Sequence, residues 1–348
     1  MAKFHATGDT AGSFFSFDPD HGGRTLAPQP LNRQTAIRRM AEVAPRITVA
    51  IPTYNRAKVL RQTLEGVIRQ THVPGGYEVL VIDNNSTDDT HAVVESFAQA
   101  KPAPRYVRET QQGLDHARNR AISEARGEIL VLADDDILVE SDWLLQLTKG
   151  FSRSEGDRIG AVGGEVVPIF PDGLPPWVAE WHAPLDFRRD LGPLPPHQSP
   201  MGANLAFPLR VFREHGRFST TLDRKGSALF SGGETEMLRR LRAAGLEVWF
   251  APAARVLHQM PASRTTFRYA TRHAFDSARS RVVERGATSF GYLASRFLGN
   301  FLKVLGFLIL ALLNLLILRT GDFKKALVRA WRSCGYLYQI PRTACGRI

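Results

Sequence analysis

At 348 residues and 38.7 kDa the chain holds one large domain or two with a sizeable core, and 43% hydrophobic with 23% charged residues is an ordinary globular composition. Two cysteines, Cys334 and Cys345, exclude a disulfide framework and fit a reducing compartment. Residues 264–348 hold fifteen of the 45 Lys and Arg but only Asp276, Glu284 and Asp322 among the acids, so the net charge of +11 belongs to the tail. Nucleic acid and an anionic membrane surface are the two partners such a tail suits.

The first ten residues lack the apolar core of a signal peptide, which predicts a chain that is not exported. Residues 1–45 are rich in Gly, Pro, Ser, Gln and Arg without sustained apolar periodicity, and are expected to form a disordered or loosely attached leader. A short helix over 34–43 is the one element that fits there. Order is expected from Arg46. Ile47, Val49 and Ile51 alternate as in a strand, and P-T-Y-N-R (52–56) breaks it. Residues 57–70 place Leu60, Leu64, Val67 and Ile68 on one helical face. A second strand over 77–82 runs into D-N-N-S-T-D-D-T (83–90), where Ser86 or Asp88 is suited to cap a helix over 89–99. A third strand at 105–108, a helix over 116–125 and a fourth strand complete a β-α-β-α-β-α-β order. That order predicts a doubly wound, mostly parallel sheet with right-handed crossovers.

The fourth strand, G-E-I-L-V-L-A-D-D-D-I (127–137), carries the most pointed chemistry. Its unbroken apolar run suits a strand buried on both faces. Asp134, Asp135 and Asp136 follow at once, and carboxylates so close repel unless something positive sits among them. In an extended backbone Asp134 and Asp136 share one side and Asp135 takes the other. Two carboxylates at the C-terminal edge of a parallel sheet make a seat for Mg²⁺ or Mn²⁺. A solvated acidic turn or a helix N-terminal cluster accounts for the triplet equally well at this point. Asp83 likewise suits plain turn chemistry.

Six segments then appear in one order: V-A-I-P-T-Y-N-R (49–56), V-I-D-N-N-S-T-D (81–88), Q-G-L-D-H-A-R-N-R-A (112–121), A-R-G-E-I-L-V-L-A-D-D-D (125–136), M-G-A-N-L-A-F (201–207) with G-R-F (216–218), and G-G-E-T-E-M-L-R-R-L (232–241). Together they resemble the family 2 glycosyltransferases over roughly residues 46–260. The resemblance implies the A-type, nucleotide-diphospho-sugar-binding fold, with residues 46–137 as the nucleotide half and 138–262 as the acceptor half. It implies a base and ribose pocket from Pro52, Thr53 and Tyr54, with Asp83 accepting hydrogen bonds from the base. Arg118 would brace that pocket or contact the diphosphate, a structural ion pair being the other reading. Asp136 would ligate Mn²⁺ or Mg²⁺ directly, with Asp134 nearer the ribose and His258 near the metal or diphosphate. A structural role suits an isolated histidine as well.

On the acceptor side, Gly202 and the amide of Asn204 would face the donor sugar. The segment 156–200 is expected to be irregular, with short strands near 161–167, and Trp177 and Trp181 there suit either sugar stacking or packing. Within residues 231–236, Glu234 falls where the family usually carries aspartate and is the expected catalytic base. Glu236 is the fallback, and helix N-terminal charge explains either acid equally. The implied reaction is inverting transfer from a nucleotide-diphospho-sugar, UDP-linked by preference, to a lipid-linked or glycan acceptor.

Residues 297–318 contain F-L-K-V-L-G-F-L-I-L-A-L-L-N-L-L-I-L (301–318), whose uncharged core is short of the roughly 20 residues a span needs. Basic residues flank both ends, so a single span would strand one set on the wrong side. A helix embedded in the cytoplasmic leaflet is the preferred expectation, with a second interfacial helix over 322–338. A single-pass span and a helix packed on protein are the alternatives. With an anionic membrane as the partner, nucleic acid is not expected.

Overall fold

The computed structural model describes residues 46–152, 158–170, 173–179, 186–222, 232–285 and 289–345. The expected leader with its short helix, and Trp181, lie outside them.

Strands β1 (Ile47–Thr53), β2 (Tyr77–Asp83), β3 (Arg105–Arg108) and β4 (Ile129–Ala133) alternate with helices α1 (Ala57–Ile68), α2 (Thr90–Glu95) and α3 (Leu114–Glu124). All pairings among these strands are parallel, β1 lying between β2 and β4. Strand alternation sorts the core. Val49, Ile51, Val79, Val81 and Val131 face one layer with Leu60, Leu64 and Val67 of α1. Ala50, Leu80, Ile82, Leu130 and Leu132 face the other with Ala117 and Ala121 of α3. Helix α2 is shorter than expected because its last turn tightens into i→i+3 bonds at residues 97 and 98.

The second half extends the same sheet. It comprises β5 (Ile137–Val139), α4 (Trp143–Thr148), β6 (Ile159–Ile169), β7 (Gly192–Pro193), β8 (Asn204–Pro208), α5 (Arg210–His215), α6 (Gly233–Ala243) and β9 (Glu247–Gln259). The described strands run β3-β2-β1-β4-β8-β6-β9-β5, with β7 paired to β9. Strand β8 is antiparallel to β4 and β6, whereas β6 and β9 are parallel. The short strands expected near 161–167 are one eleven-residue strand. The order 3-2-1-4 reverses between β1 and β4, and a crevice outside the carboxyl ends of two such strands is where open α/β sheets bind ligands.

Three helices follow: α7 (Phe267–Arg285), α8 (Phe290–Leu316) and α9 (Thr320–Ala344). Helix α9 packs against both others. Its Trp331 and Tyr338 rings meet Phe275 of α7, and Arg279 donates to Gln339. A Cβ at Gly335 would lie 2.3 Å from the Phe275 carbonyl oxygen, so glycine sets the approach of these helices. The helix expected over 322–338 is present and longer, with Ala326, Val328, Ala330 and Ile340 buried. Helix α8 is the one described helix long and apolar enough to cross a membrane by length and composition, with a mean hydropathy of 1.9 over Gly291–Leu316. It buries a narrow seam including Leu293, Asn300, Ala311 and Asn314, and leaves Leu298, Leu302, Ile309, Leu312 and Leu316 exposed.

Candidate functional site

At the β1/β4 reversal a cleft of about 310 Å³ is walled by Pro52, Thr53, Tyr54, Asn84, Asp134 and Arg264, among others. Each residue arrives from the C-terminal end of a parallel strand or from the turn after β9. A larger cavity of about 880 Å³ opens at the opposite sheet edge, around Arg46, Arg126 and Arg213. It meets the strands at their amino ends and gathers none of the acids discussed below, so the smaller cleft is the site.

The aspartate triplet divides its work. The backbone turns at Asp135 and Asp136 rather than running on extended. The expected alternation is kept only in part: Asp134 and Asp136 come together near His258, but Arg56 bonds both Asp135 and Asp136, and Asp134 and Asp135 both line the cleft. Asp135 is buried, accepting from Thr53 Oγ1 at 2.7 Å and from Arg56 Nη1 at 2.7 Å. Burial, opposed by Arg56 and assisted by Asp136, pushes its carboxyl up to about 7. Asp136 takes the other nitrogen of the same Arg56 fork. Burial raises its pKa, but the adjacent His258 imidazole, then Arg56 and Arg264, outweigh it and hold the carboxyl well below the usual range. Arg56 and Arg264 are the positive charges that three adjacent acids require. Arg56 Nη2 lies 2.6 Å from Asp136 Oδ2, and Arg264 lies 3.9 Å from the same oxygen.

Strand pairing sets Ile137 opposite His258, which brings the imidazole to the triplet. His258 Nε2 stands 2.9 Å from Asp136 Oδ1, yet the two make no aligned hydrogen bond and neither buried atom has another partner. Ligand atoms of Asp134, Asp136 and His258 all lie within 4.8 Å of one another. Two orphaned buried atoms beside a second carboxylate form a donor set that fits a divalent cation of the Mn²⁺ or Mg²⁺ type.

Across the cleft Arg118 is fully enclosed. Its Nη1 donates to Asp115 Oδ1 at 2.9 Å and to Glu234 Oε2 at 3.1 Å. Burial pulls the guanidinium pKa down, but Glu234, Asp115 and Asp134 more than reverse that and keep it charged. Helix α6 begins at Gly233, where a Cβ would meet Asp115 Oδ2 at 2.1 Å; only glycine lets this turn close on that carboxylate. Gly202 abuts the same group, its notional Cβ 2.5 Å from Arg118 Nη2 and 3.6 Å from Glu234 Cδ. Glu236 faces elsewhere, pairing with Arg240 at 3.0 Å.

Other expected residues take different places. Asp83 accepts from Tyr106 and from the Ser86 amide, and Asn84 beside it reaches the cleft wall instead. Asn204 is wholly buried. Its Nδ2 donates to the carbonyls of Glu165 and Ala254, and its Oδ1 accepts from Trp143 Nε1. An amide so committed ties β6, β8, β9 and α4 together and does not face a donor sugar. Trp177 packs on Phe267, with the Lys324 ammonium over its ring, at the seam with the tail. The sequence reading missed Arg56, Asn84, Asp115, Asp135 and Arg264 as site components; the charge imbalance of the triplet was the signal for the two arginines.

Residues 48–216 match the family model described as glycosyl transferase family 2. The glycosyltransferase AglE of Haloferax volcanii is 35% identical over 135 residues, covering 38% of this chain and 43% of that protein. The glucosyl-dolichyl phosphate glucuronosyltransferase of the same organism is 25% identical over 244 residues, 68% of this chain and 77% of that one. The chain thus spans less than half the length of the first relative and about three quarters of the second. The mannosyltransferase PcManGT from Pyrobaculum calidifontis, solved with GDP-Man and Mn²⁺, superposes with a TM-score of 0.52 at 21% identity, covering 88% of this chain and 75% of that one. That likeness is one of fold, the A-type mixed and mostly parallel sheet.

Proposed function

The chain belongs to glycosyl transferase family 2, and we propose that it moves a sugar, with inversion, from a UDP-linked donor to a lipid-linked or growing glycan acceptor at the cytoplasmic face of a membrane. Residues 46–137 serve the donor, 138–262 the acceptor, and 263–348 the membrane. One observation carries this reading. The Arg118 guanidinium bonds Glu234 and feels the charge of Asp134, so the candidate base and one carboxylate of the metal-type cluster act on the same buried arginine.

Thr53, Tyr54 and Asn84 hold the nucleoside, with Pro52 fixing the turn beneath it. Asp134, Asp136 and His258 hold Mn²⁺ or Mg²⁺, which when bound neutralises charge developing on the leaving diphosphate. Arg264 adds fixed positive charge on the same wall. Glu234 takes the proton of the acceptor hydroxyl as that oxygen attacks the anomeric carbon. Glu234 pairs with the Arg118 guanidinium at 3.1 Å.

The tail favours lying in the membrane surface over spanning it. Arg296 lies over the Tyr336 ring at one end of the α8–α9 hairpin, and residues 317–319 join the helices at the other. Lys324, Lys325, Arg329 and Arg332 therefore run beside α8, and a span would carry them into hydrocarbon. Lying flat, α8 buries its apolar faces while these cations stay at the anionic surface.

The test is turnover of a UDP-sugar panel by the full chain with Mn²⁺ and lipid-linked acceptors. Glu234→Gln is expected to lower turnover by about 10²-fold or more while donor affinity stays within about twofold. Near-normal turnover in that variant contradicts the assignment of Glu234.

A further inference from the structure

Behind the helix that carries Glu234 lies a second cavity, of about 810 Å³, enclosed by α6, α7, α8 and α9. Arg239 and Arg242 reach it from α6, Arg281 and Arg285 from α7, and Arg296 from α8. Glu284 is the one acid among the described residues lining it. Arg242 is fixed to the wall by the carbonyls of Pro196 and Gln198. Arg285 donates to the Tyr292 hydroxyl, and Arg296 stacks over Tyr336 at 5.3 Å. Glu284 feels the charges of Arg239, Arg281 and Arg285 together, and Arg239 also lies 3.8 Å from Glu236.

Five guanidinium groups against the two acids Glu284 and Glu236 leave a surplus of positive charge that an anion would balance, and planar forks suit phosphate oxygens. Two further facts specify that anion. Thr235, next in sequence to Glu234, lines this cavity, so the first turn of α6 carries both the candidate base and part of the cavity wall. The exposed apolar surface of α8 begins at Phe297, immediately after Arg296, and continues through Leu298, Phe301, Leu302 and Leu305. An anionic headgroup in the cavity thus has a hydrocarbon-compatible surface leading away from it. We propose that this pocket binds the phosphate or diphosphate of the lipid that carries the acceptor sugar. The inference rests on the membrane-acceptor reading above and assigns that acceptor a seat.

Full-length protein is floated with phosphatidylcholine vesicles containing undecaprenyl diphosphate, and separately with vesicles matched in charge by phosphatidylglycerol. About tenfold tighter binding to the first is expected. The paired changes Arg281→Gln and Arg296→Gln should abolish that preference while phosphatidylglycerol binding remains. Arg213→Gln with Arg217→Gln, an equal loss of charge at the opposite sheet edge, should leave the preference intact. Arg285→Gln, alone, provides a milder variant, expected to lower the preference severalfold with the unfolding midpoint unchanged. Equal affinity for the two vesicle types overturns the pocket assignment and leaves membrane association standing. Binding to neither defeats the membrane reading and the pocket with it. Equally tight binding of inorganic pyrophosphate in solution makes the pocket a soluble-anion site and overturns the lipid assignment.

Discussion

Asp134, Asp135 and Asp136 are consecutive, yet each is solved by a different partner. Arg56 bonds to the latter two at 2.7 and 2.6 Å, so removing it leaves two buried carboxylates facing each other. Arg56→Met is expected to cost about 2–3 kcal/mol in a denaturant titration, below the figure for a fully buried pair because the arginine is 30% exposed. An unchanged midpoint would show that the pair is not what stabilises the turn. Tyr106 offers a separate test. Burial first, then Asp83, push its phenol up to about 12 from 10. A raised pKa in the folded state means that its contribution is complete below pH 10 and lost as pH rises through 12. Tyr106→Phe should cost about 1 kcal/mol near neutrality and shrink the late phase of the ultraviolet phenolate titration by one tyrosine, the Tyr77 phenol being raised by burial as well; a late phase of unchanged size contradicts the assignment. Which acids mattered was legible because three carboxylates have no packing purpose. Their partners were not, because Arg56, Asn84 and Arg264 reach the cleft only through strand register and the turn after β9. Asn204 shows the converse. Its short motif fitted the acceptor side, but full burial commits the amide to two carbonyls and an indole.

Among the elements, β1 to β4 were readable from alternation and from apolar runs that a doubly covered sheet demands. A last strand over 247–250 with an extension toward His258 was readable too, but not its bulge: the register jumps from Gly164–Ala251 to Val166–Val256, so Pro252 sits in a bulge and the ladder resumes. That resumption is what delivers His258 to Asp136. The tail helices were visible as apolar and basic runs, but their order, with α9 in the middle, depends on the close approach at Gly335. Helix α8 carries its own prediction. Leu305, Ile309 and Leu312 are 46%, 61% and 57% exposed, so changing all three to Glu should move the unfolding midpoint little. Vesicle binding by the same variant should fall by about 10²-fold or more, each buried side chain being worth about 1.5–3 kcal/mol. Loss of stability instead of vesicle binding would mean that α8 is covered by protein.

For the molecule as a whole, charge and chemistry are segregated. The body up to residue 263 is nearly neutral and holds the cleft; the last 85 residues carry the basic excess and the exposed apolar helix. Helix α6 joins the two, its Glu234 bonding Arg118 and its Thr235 and Arg239 lining the tail cavity. On the proposed function, the base and the lipid-phosphate pocket would be neighbours on a single helix. The central claim is that the donor is a nucleotide diphosphate bound through the Asp134–Asp136–His258 cluster. Calorimetry of UDP with the full chain, with and without Mn²⁺, on wild type and Asp136→Ala, tests it most directly. Binding that needs the metal, and that weakens by at least about tenfold in Asp136→Ala while the variant stays folded, is the expected result. UDP binding of equal strength without Mn²⁺ and in Asp136→Ala would contradict it.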